Sequence, residues 1–207
     1  MKKIITTLLI LTGFYSVTHA QKANTGEFGV NLGLNLSSIQ YSGTGESSDY
    51  KAGANIGVSG EYYFTSSWGI KAKLIFDQKG WGNGVVFLPD GTAIEGVSYR
   101  LNYITVPILA SWHFGRLHNW YINFGPYLGF LTSASESSNS GDVTQAFTNT
   151  DVGLALGVGI KIPINNLAKV FFEYDGQGGF TNVFNQSDGT YHNIRSAFNV
   201  GLLFPIR

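Results

Sequence analysis

The sequence has 207 residues with equal numbers of basic and acidic side chains, and only 13% of its residues are charged, about half the share of a soluble domain. Aromatic residues make up 14%, 27 residues are glycine, and no later segment is apolar for the ~20 residues that a transmembrane helix needs. This composition is typical of a membrane β-barrel. The sequence contains no cysteine, which excludes disulfides, thiolate metal sites and a lipid-modified N-terminal cysteine.

The N-terminus has the pattern of a secretory signal peptide. Lys2 and Lys3 precede a short apolar run over 4–15, and Thr18-His19-Ala20 places small residues at a cleavage site. We expect residues 1–20 to be removed after Ala20 and 21–207 to form one exported domain. An N-terminal membrane anchor is the alternative, but the apolar run is too short to span a bilayer. The mature chain then has a net charge of −2, which gives no reason to expect a nucleic-acid partner.

Apolar residues alternate with glycine or polar residues along eight segments, which is the period of a β-strand. In chain order the predicted strands are 28–37, 52–64, 68–77, 101–112, 120–131, 152–162, 170–175 and 194–204. The fourth and fifth are as long as the ~9–11 residues with which a strand crosses a bilayer.

The predicted connections alternate between long and short. The long ones are polar loops at 38–49, 80–96, 132–150 and 176–192, of which 132–150 is expected to be mobile. The segment 80–96 contains a turn signal at Pro89-Asp90-Gly91. An even number of strands places both termini on the side of the short turns, as in outer-membrane barrels. The sequence therefore predicts an all-β, eight-stranded antiparallel up-and-down transmembrane β-barrel.

A soluble lipocalin-like barrel also has eight antiparallel strands, so the direction of the apolar face must be argued separately. Roughly forty mostly large apolar residues share that face, whereas a closed eight-stranded barrel holds about a dozen side chains inside. The apolar face must therefore point outward, into lipid. Aromatic girdles support this prediction. The girdle next to the short turns comprises Phe28, Phe64, Trp68, Trp112, Trp120 and Phe204, and the opposite one comprises Phe76, Phe130 and Tyr174.

The inward face carries a predicted cluster of charges in the lumen. Its members are Glu61, Lys71, Lys73, Asp77, Lys161, Glu173, Asp175 and Arg195. An ion or substrate path is one interpretation, but the lumen of eight strands is narrow, so a plug of paired charges is favoured. A three-residue turn at 65–67 sets Glu61 opposite Lys71, and these two are expected to form an ion pair.

Histidines are the candidates for catalysis. His113 and His118 are expected in a turn on the periplasmic side, and His192 near the external end of the last strand, close in sequence to Ser187 and Asp188. All are interpreted as solvated loop histidines. No catalytic residue, metal or cofactor is assigned, and the sequence predicts that the protein is not an enzyme.

Two motifs resemble the PorT-like, "porin family" outer-membrane β-barrels common in Bacteroidetes. The first is Leu101-Asn102-Tyr103 with Pro107, and the second is Gly125-Pro126-Tyr127 with Gly129. The glycine-alternating sixth strand is also similar. The resemblance implies a small eight-stranded outer-membrane barrel with a possible link to a secretion system, and it offers no catalytic residues.

Three functions are compatible with the sequence. The first is a structural or partner-binding barrel that contacts outer-membrane lipid and acts through its external loops or in a secretion or envelope assembly. The second is a narrow solute or ion pore. The third is a lipid-modifying outer-membrane hydrolase that uses His192. We expect the first.

Overall fold

The computed structural model describes residues 23–45, 47–87, 93–138, 142–187 and 189–206. Its eight strands form a closed barrel in chain order, with every neighbour antiparallel and β1 paired to β8, as predicted. The strands are β1 Thr25–Tyr41, β2 Asp49–Tyr63, β3 Trp68–Phe87, β4 Ala93–Phe114, β5 Trp120–Glu136, β6 Thr150–Pro163, β7 Lys169–Gly179 and β8 Tyr191–Ile206. In the part of the chain that the structure describes, no helix is long and apolar enough to cross a membrane. The predicted cleavage site after Ala20 and the turn at Pro89-Asp90-Gly91 lie outside the described residues.

The two faces of the barrel wall are chemically opposite. Outward residues such as Leu34 and Leu156 are 73% and 62% exposed, whereas inward Leu101 and Tyr121 are fully buried. Large apolar side chains on an exposed face are stable only when lipid covers them, since their burial contributes ~25 cal/mol per Å². The apolar face therefore points outward, as predicted.

Inward glycines make room for large rings in the lumen. A Cβ on Gly159 would lie 2.4 Å from the ring of Tyr121, and one on Gly153 would lie 2.7 Å from the ring of Tyr127. Glycine on one strand and tyrosine on the next thus fill the same space. The glycine-rich pattern reflects a packed interior rather than an empty one.

The strands at the long-loop end extend further than the sequence indicates. Residues 80–96 are predicted to be an excursion, yet β3 continues to Phe87 and β4 begins at Ala93. The prediction is wrong because the hairpin rises beyond the apolar band, where outward positions no longer face lipid and the alternation disappears. Register shifts near Trp81 and Gly84 further disturb the pattern.

An aromatic cluster, here called the mouth cluster, closes the barrel at the long-loop end. It comprises Trp81, Tyr99, Phe147, Phe184 and Tyr191. Trp81 stacks on Tyr99 at 4.8 Å, and Phe147 meets the Trp81 ring at 5.8 Å and that of Phe184 at 5.4 Å.

The described part of the loop before β6 contains regular structure. Residues 132–150 are predicted to be a mobile loop, but β5 runs to Glu136 and Thr144–Ala146 forms a 3-10 turn. Phe147 is 1% exposed and forms a β-bridge with Phe184. The segment has few apolar residues, but these pack inward over the mouth of the barrel. The polar composition of the loop gives no indication of this packing.

Candidate functional site

The eight charged residues predicted to face inward are all buried in the lumen. They occupy odd-numbered positions of β2, β3, β6, β7 and β8, so they share the inward face of the pleat. The structure also buries Glu27, Lys79 and Asp151 there. These three lie one or two residues beyond the ends of the predicted strands. They too have odd numbers, so extending each strand by two residues would have identified them as inward.

The network at the short-turn end is centred on Glu61. Its carboxylate lies 3.1 Å from the ammonium group of Lys71 and 2.8 Å from that of Lys161. Lys161 also contacts Glu27 at 2.9 Å, and the hydroxyl of Tyr63 donates to Glu27 at 2.5 Å. Glu61 is opposite Lys71 in the β2–β3 register, so the predicted ion pair is confirmed.

A second network occupies the middle of the lumen. Arg195 pairs with Asp77 at 3.2 Å and with Asp175, while Lys73 pairs with Glu173 and lies 3.8 Å from Asp175. Each carboxylate therefore has a cation beside it. Buried charges are tolerated when they are paired in this way.

A third network lies beneath the mouth cluster. The ammonium group of Lys79 is 2.9 Å from Asp151, which also accepts hydrogen bonds from Tyr127 and Asn193. The rings of Tyr103 and Tyr127 flank the Lys79 ammonium group at 5.2 and 4.7 Å. Two tyrosines of the sequence motifs thus hold one buried cation through the negative faces of their rings.

His113 is inside the barrel, not in a solvated turn, so that prediction is wrong. It lies in β4, is 1% exposed, and its Nε2 is 2.5 Å from Glu61 and 3.0 Å from the Ser111 hydroxyl. In a catalytic triad the carboxylate is hydrogen-bonded to one ring nitrogen of the histidine and the nucleophile to the other. Here both contact the same nitrogen, and Nδ1 has no hydrogen-bond partner among the described residues.

The lumen is closely packed at the level of the middle network. A cavity at the level of the middle network, lined by Lys73, Asn123 and Glu173 among others, offers about 10 Å³. That is about the space that one water molecule occupies. At this level the described side chains fill the interior, and the mouth cluster covers it at the long-loop end.

The predicted girdle next to the short turns lies on the outer face. Phe28, Phe64, Trp68, Trp112, Trp120 and Phe204 are between 39% and 54% exposed. Trp68 is opposite Trp112 in the β3–β4 register, and their rings stack at 6.3 Å. Aromatic rings on the outer face at strand ends are expected at a bilayer interface.

His192 lies on the outer side of the barrel at the long-loop end, as its place near the end of the last strand indicates. Its Nε2 is 3.0 Å from the Ser42 hydroxyl and its Nδ1 is 3.1 Å from the carbonyl oxygen of Thr181. Ser187, the sequence neighbour considered as its partner, donates instead to the carbonyl of Gly189. Asp188 lies outside the described residues. Ser42 and His192 are 150 positions apart in the sequence, and no local motif indicates their contact.

The loop that covers the mouth is braced by Asp142. The hydroxyl and the backbone N–H of Thr144 both donate to its carboxylate, and these hydrogen bonds hold the pKa of Asp142 below its ordinary value. The Thr144 hydroxyl also accepts from the backbone N–H of Ala134 in β5. The loop is thus tied to the barrel wall.

Comparison with known proteins agrees with this geometry. The family model for the outer membrane protein beta-barrel domain matches residues 19–185. No curated protein matches the sequence.

Several solved structures are similar in fold. Neisserial surface protein A has a TM-score of 0.50 and 14% identity, covering 86% of this chain and 96% of its own. OprG from Pseudomonas aeruginosa has a TM-score of 0.49 and 12% identity, covering 91% and 100%. Ail of Yersinia pestis has a TM-score of 0.46 and 16% identity, covering 86% and 99%. At such identities the similarity to the neisserial protein shows a shared fold alone. The family match, which spans most of the chain, carries the assignment: this protein belongs to the outer membrane protein beta-barrel family and is an integral outer-membrane β-barrel.

Proposed function

We propose that the protein is a sealed outer-membrane barrel that binds a partner through its external end. In this proposal residues 1–20 direct export and are cleaved after Ala20, and the partner belongs to a secretion or envelope assembly. The observation that carries the proposal is the double closure of the lumen, by paired charges below and by the mouth cluster above. A barrel that is closed in this way is suited to holding a surface in place, not to conducting solute.

The charges in the lumen support a plug rather than a path. The described lumen holds the carboxylates of Glu27, Glu61, Asp77, Asp151, Glu173 and Asp175, and beside them the cations of Lys71, Lys73, Lys79, Lys161, Lys169 and Arg195. Their numbers balance, and each is within 4 Å of an opposite charge. An ion path needs sites that exchange ions readily, whereas a fully paired cluster has no charge to offer a passing ion. We therefore assign neither transport nor catalysis to the lumen.

The ordered external end supports partner binding. The loops before β6 and before β8 meet through the bridge between Phe147 and Phe184, and Asn185 donates to the carbonyls of Gln145 and Phe147. A fixed surface loses less entropy on binding than a floppy loop does. Gln145 and Gln186 are exposed on this surface.

The PorT-like motifs support membership of that branch of the family. Tyr103 and Tyr127 of the two motifs pack around Lys79. Gly125 is required sterically, since a Cβ there would lie 2.2 Å from the carbonyl oxygen of Ile108 on the neighbouring strand. The motifs thus have a structural role in the lumen and in the β4–β5 pairing, which is compatible with a branch defined by its barrel and not by a catalytic site.

Site-specific photocrosslinking in cells tests the proposal. A photoreactive residue at Gln145 or at Gln186 is expected to capture the same protein, because both positions lie on the external surface. Asn166, exposed in the short turn between β6 and β7, is the matched control and is expected not to capture it. Capture of that protein from Asn166 alone, or no capture from either external position, would contradict the proposal.

A further inference from the structure

A groove runs along the outer face of β6, β7 and β8, away from the lumen. Its floor consists of small outward residues, Gly176, Gly178 and Ser196, and its walls include Leu154 and Ile194. Its volume is about 800 Å³, within the range of sites that hold small molecules. A Cβ on Gly178 would meet nothing within 4 Å, so the floor is open to the outside.

The groove leads upward to His192. Ile194 lies in its wall, and His192 is the next outward residue of β8 toward the external end. From Phe204 in the periplasmic girdle to His192 the strand rises about 40 Å, or about 30 Å along the axis of a barrel with ordinary tilt. The apolar band is ~25 Å tall, so His192 sits at the external edge of the hydrocarbon, where the ester groups of lipids lie.

Ser42, His192 and Thr181 are arranged as nucleophile, base and orienting group. A carbonyl oxygen only accepts, so the contact with Thr181 places the proton of neutral His192 on Nδ1. Nε2 then accepts from the Ser42 hydroxyl at 3.0 Å. This is the geometry by which a neighbouring histidine activates a serine. Ser42 is exposed, and the bond from its backbone N–H to the carbonyl of Thr190 fixes it against the start of β8.

The residue after Ser42, Gly43, offers a backbone N–H beside the proposed nucleophile. The N–H of Gly43 has no backbone partner among the described residues. In α/β hydrolases the N–H of the residue after the nucleophile stabilises the oxyanion. A Cβ at this position would lie 2.6 Å from the ring of Tyr41, so that ring would have to move to admit a side chain here.

From the groove, its height and this pair, we infer that the outer face of the barrel carries an acyl-ester hydrolase site for a lipid of the outer leaflet. One acyl chain lies in the groove, and its ester group reaches Ser42. The site is separate from the lumen. It shares the loop before β8 with the partner surface, because Thr181 and Gln186 both lie in that loop, and it differs from the sequence-based expectation that the protein is not an enzyme.

The reaction proceeds in two balanced steps. Ser42 Oγ attacks the ester carbonyl carbon, its proton passes to His192 Nε2, and the carbon–oxygen bond to the alcohol breaks as that proton moves to the leaving oxygen. Water then attacks the acyl-serine with His192 as base, which releases the fatty acid and restores the Ser42 hydroxyl. Thr181 acts as a positioning residue for the ring of His192.

Labelling with alkyl fluorophosphonates tests the pair and the groove separately. The folded protein in phosphatidylethanolamine and phosphatidylglycerol vesicles is expected to be modified at Ser42, as identified by peptide mass spectrometry, and to release fatty acid from the vesicles. Ser42→Ala is expected to abolish both. His192→Gln is expected to slow labelling by about 100-fold or more, because it removes the base.

Reagents with alkyl chains of different length test the groove. Gly178→Leu fills the floor without a clash, so it is expected to slow labelling by a hexadecyl fluorophosphonate several-fold and to leave an ethyl fluorophosphonate unaffected. Ser196→Leu is a second variant with the same expected effect. Gly60→Leu is the matched control, because Gly60 is also an outward glycine with open space around its Cβ, on the distant strand β2. Unmodified Ser42 in folded protein, an unchanged rate in His192→Gln, or equal effects of Gly178→Leu on both reagents would overturn the inference.

Discussion

At the scale of single residues, the lumen is organised by a few side chains that each serve several partners. Glu61 contacts Lys71, Lys161 and His113, whereas Lys71 has a carboxylate partner only in Glu61 among the ion pairs of the described residues. Loss of a hub therefore leaves several groups unpaired, and loss of a peripheral cation leaves fewer. Because these groups are buried, the desolvation cost of an unpaired charge is not relieved by water.

The network predicts that removing Glu61 and removing Lys71 destabilise the barrel by different amounts. Glu61→Leu is expected to destabilise the barrel by about 3–5 kcal/mol, since it leaves Lys71 without a carboxylate and removes one of the two carboxylates beside Lys161, and Lys71→Leu by less. The double variant is expected to recover part of the loss, because Lys161 keeps Glu27 and no unpaired Lys71 remains. Reversible unfolding in urea with lipid vesicles measures all three. A larger loss in Lys71→Leu than in Glu61→Leu would contradict the central place of Glu61.

At the scale of the strand, position along the barrel axis decides what a substitution costs. Leu156 lies in the middle of β6 and is 62% exposed on the outer face, whereas Phe204 lies near the short-turn end of β8. The same charge placed at these two positions meets different surroundings, hydrocarbon at one and the interface at the other.

Arginine scanning measures that difference. Leu156→Arg is expected to cost roughly 2–4 kcal/mol, and Phe204→Arg ~0–1 kcal/mol in desolvation. Lysine at the same positions is the control for the particular side chain. Equal costs at the two depths would show that the assigned heights on the barrel are wrong.

The strands and their facing were predictable from sequence because lipid imposes strict alternation on them. Within the apolar band an outward residue must be apolar, so parity reveals both the strand and the inward charges such as Glu61 and Arg195. Above the band that constraint ends, so the sequence predicts a loop where β3 and β4 in fact continue. For the same reason the alternation does not identify Lys79 and Asp151 as inward residues. The contact between Ser42 and His192 was unpredictable, because it depends on the closure of β1 against β8.

At the scale of the whole molecule, the barrel is closed in two senses. The β1–β8 ladder removes free strand edges, which lipid does not tolerate. In the proposed function the lumen is blocked both by the paired charges and by the mouth cluster. The two blocks lie in series along the axis, so removing one leaves the other in place.

Closure of the ladder predicts behaviour on gels. The mature protein is expected to fractionate with the outer membrane and to migrate faster in detergent without boiling than after boiling, since the closed barrel stays compact. Equal mobility of the two samples, with recovery in the soluble fraction, would favour the lipocalin-like alternative.

The central claim, a sealed lumen, is tested most directly by single-channel recording in planar bilayers. The folded protein is expected to give no steady conductance, and Phe147→Ala, which removes a ring from the mouth cluster, is expected to be equally silent because the paired charges still fill the lumen. The unboiled gel shift verifies that each sample is folded. Reproducible unitary current steps from the folded wild-type protein would contradict a sealed barrel.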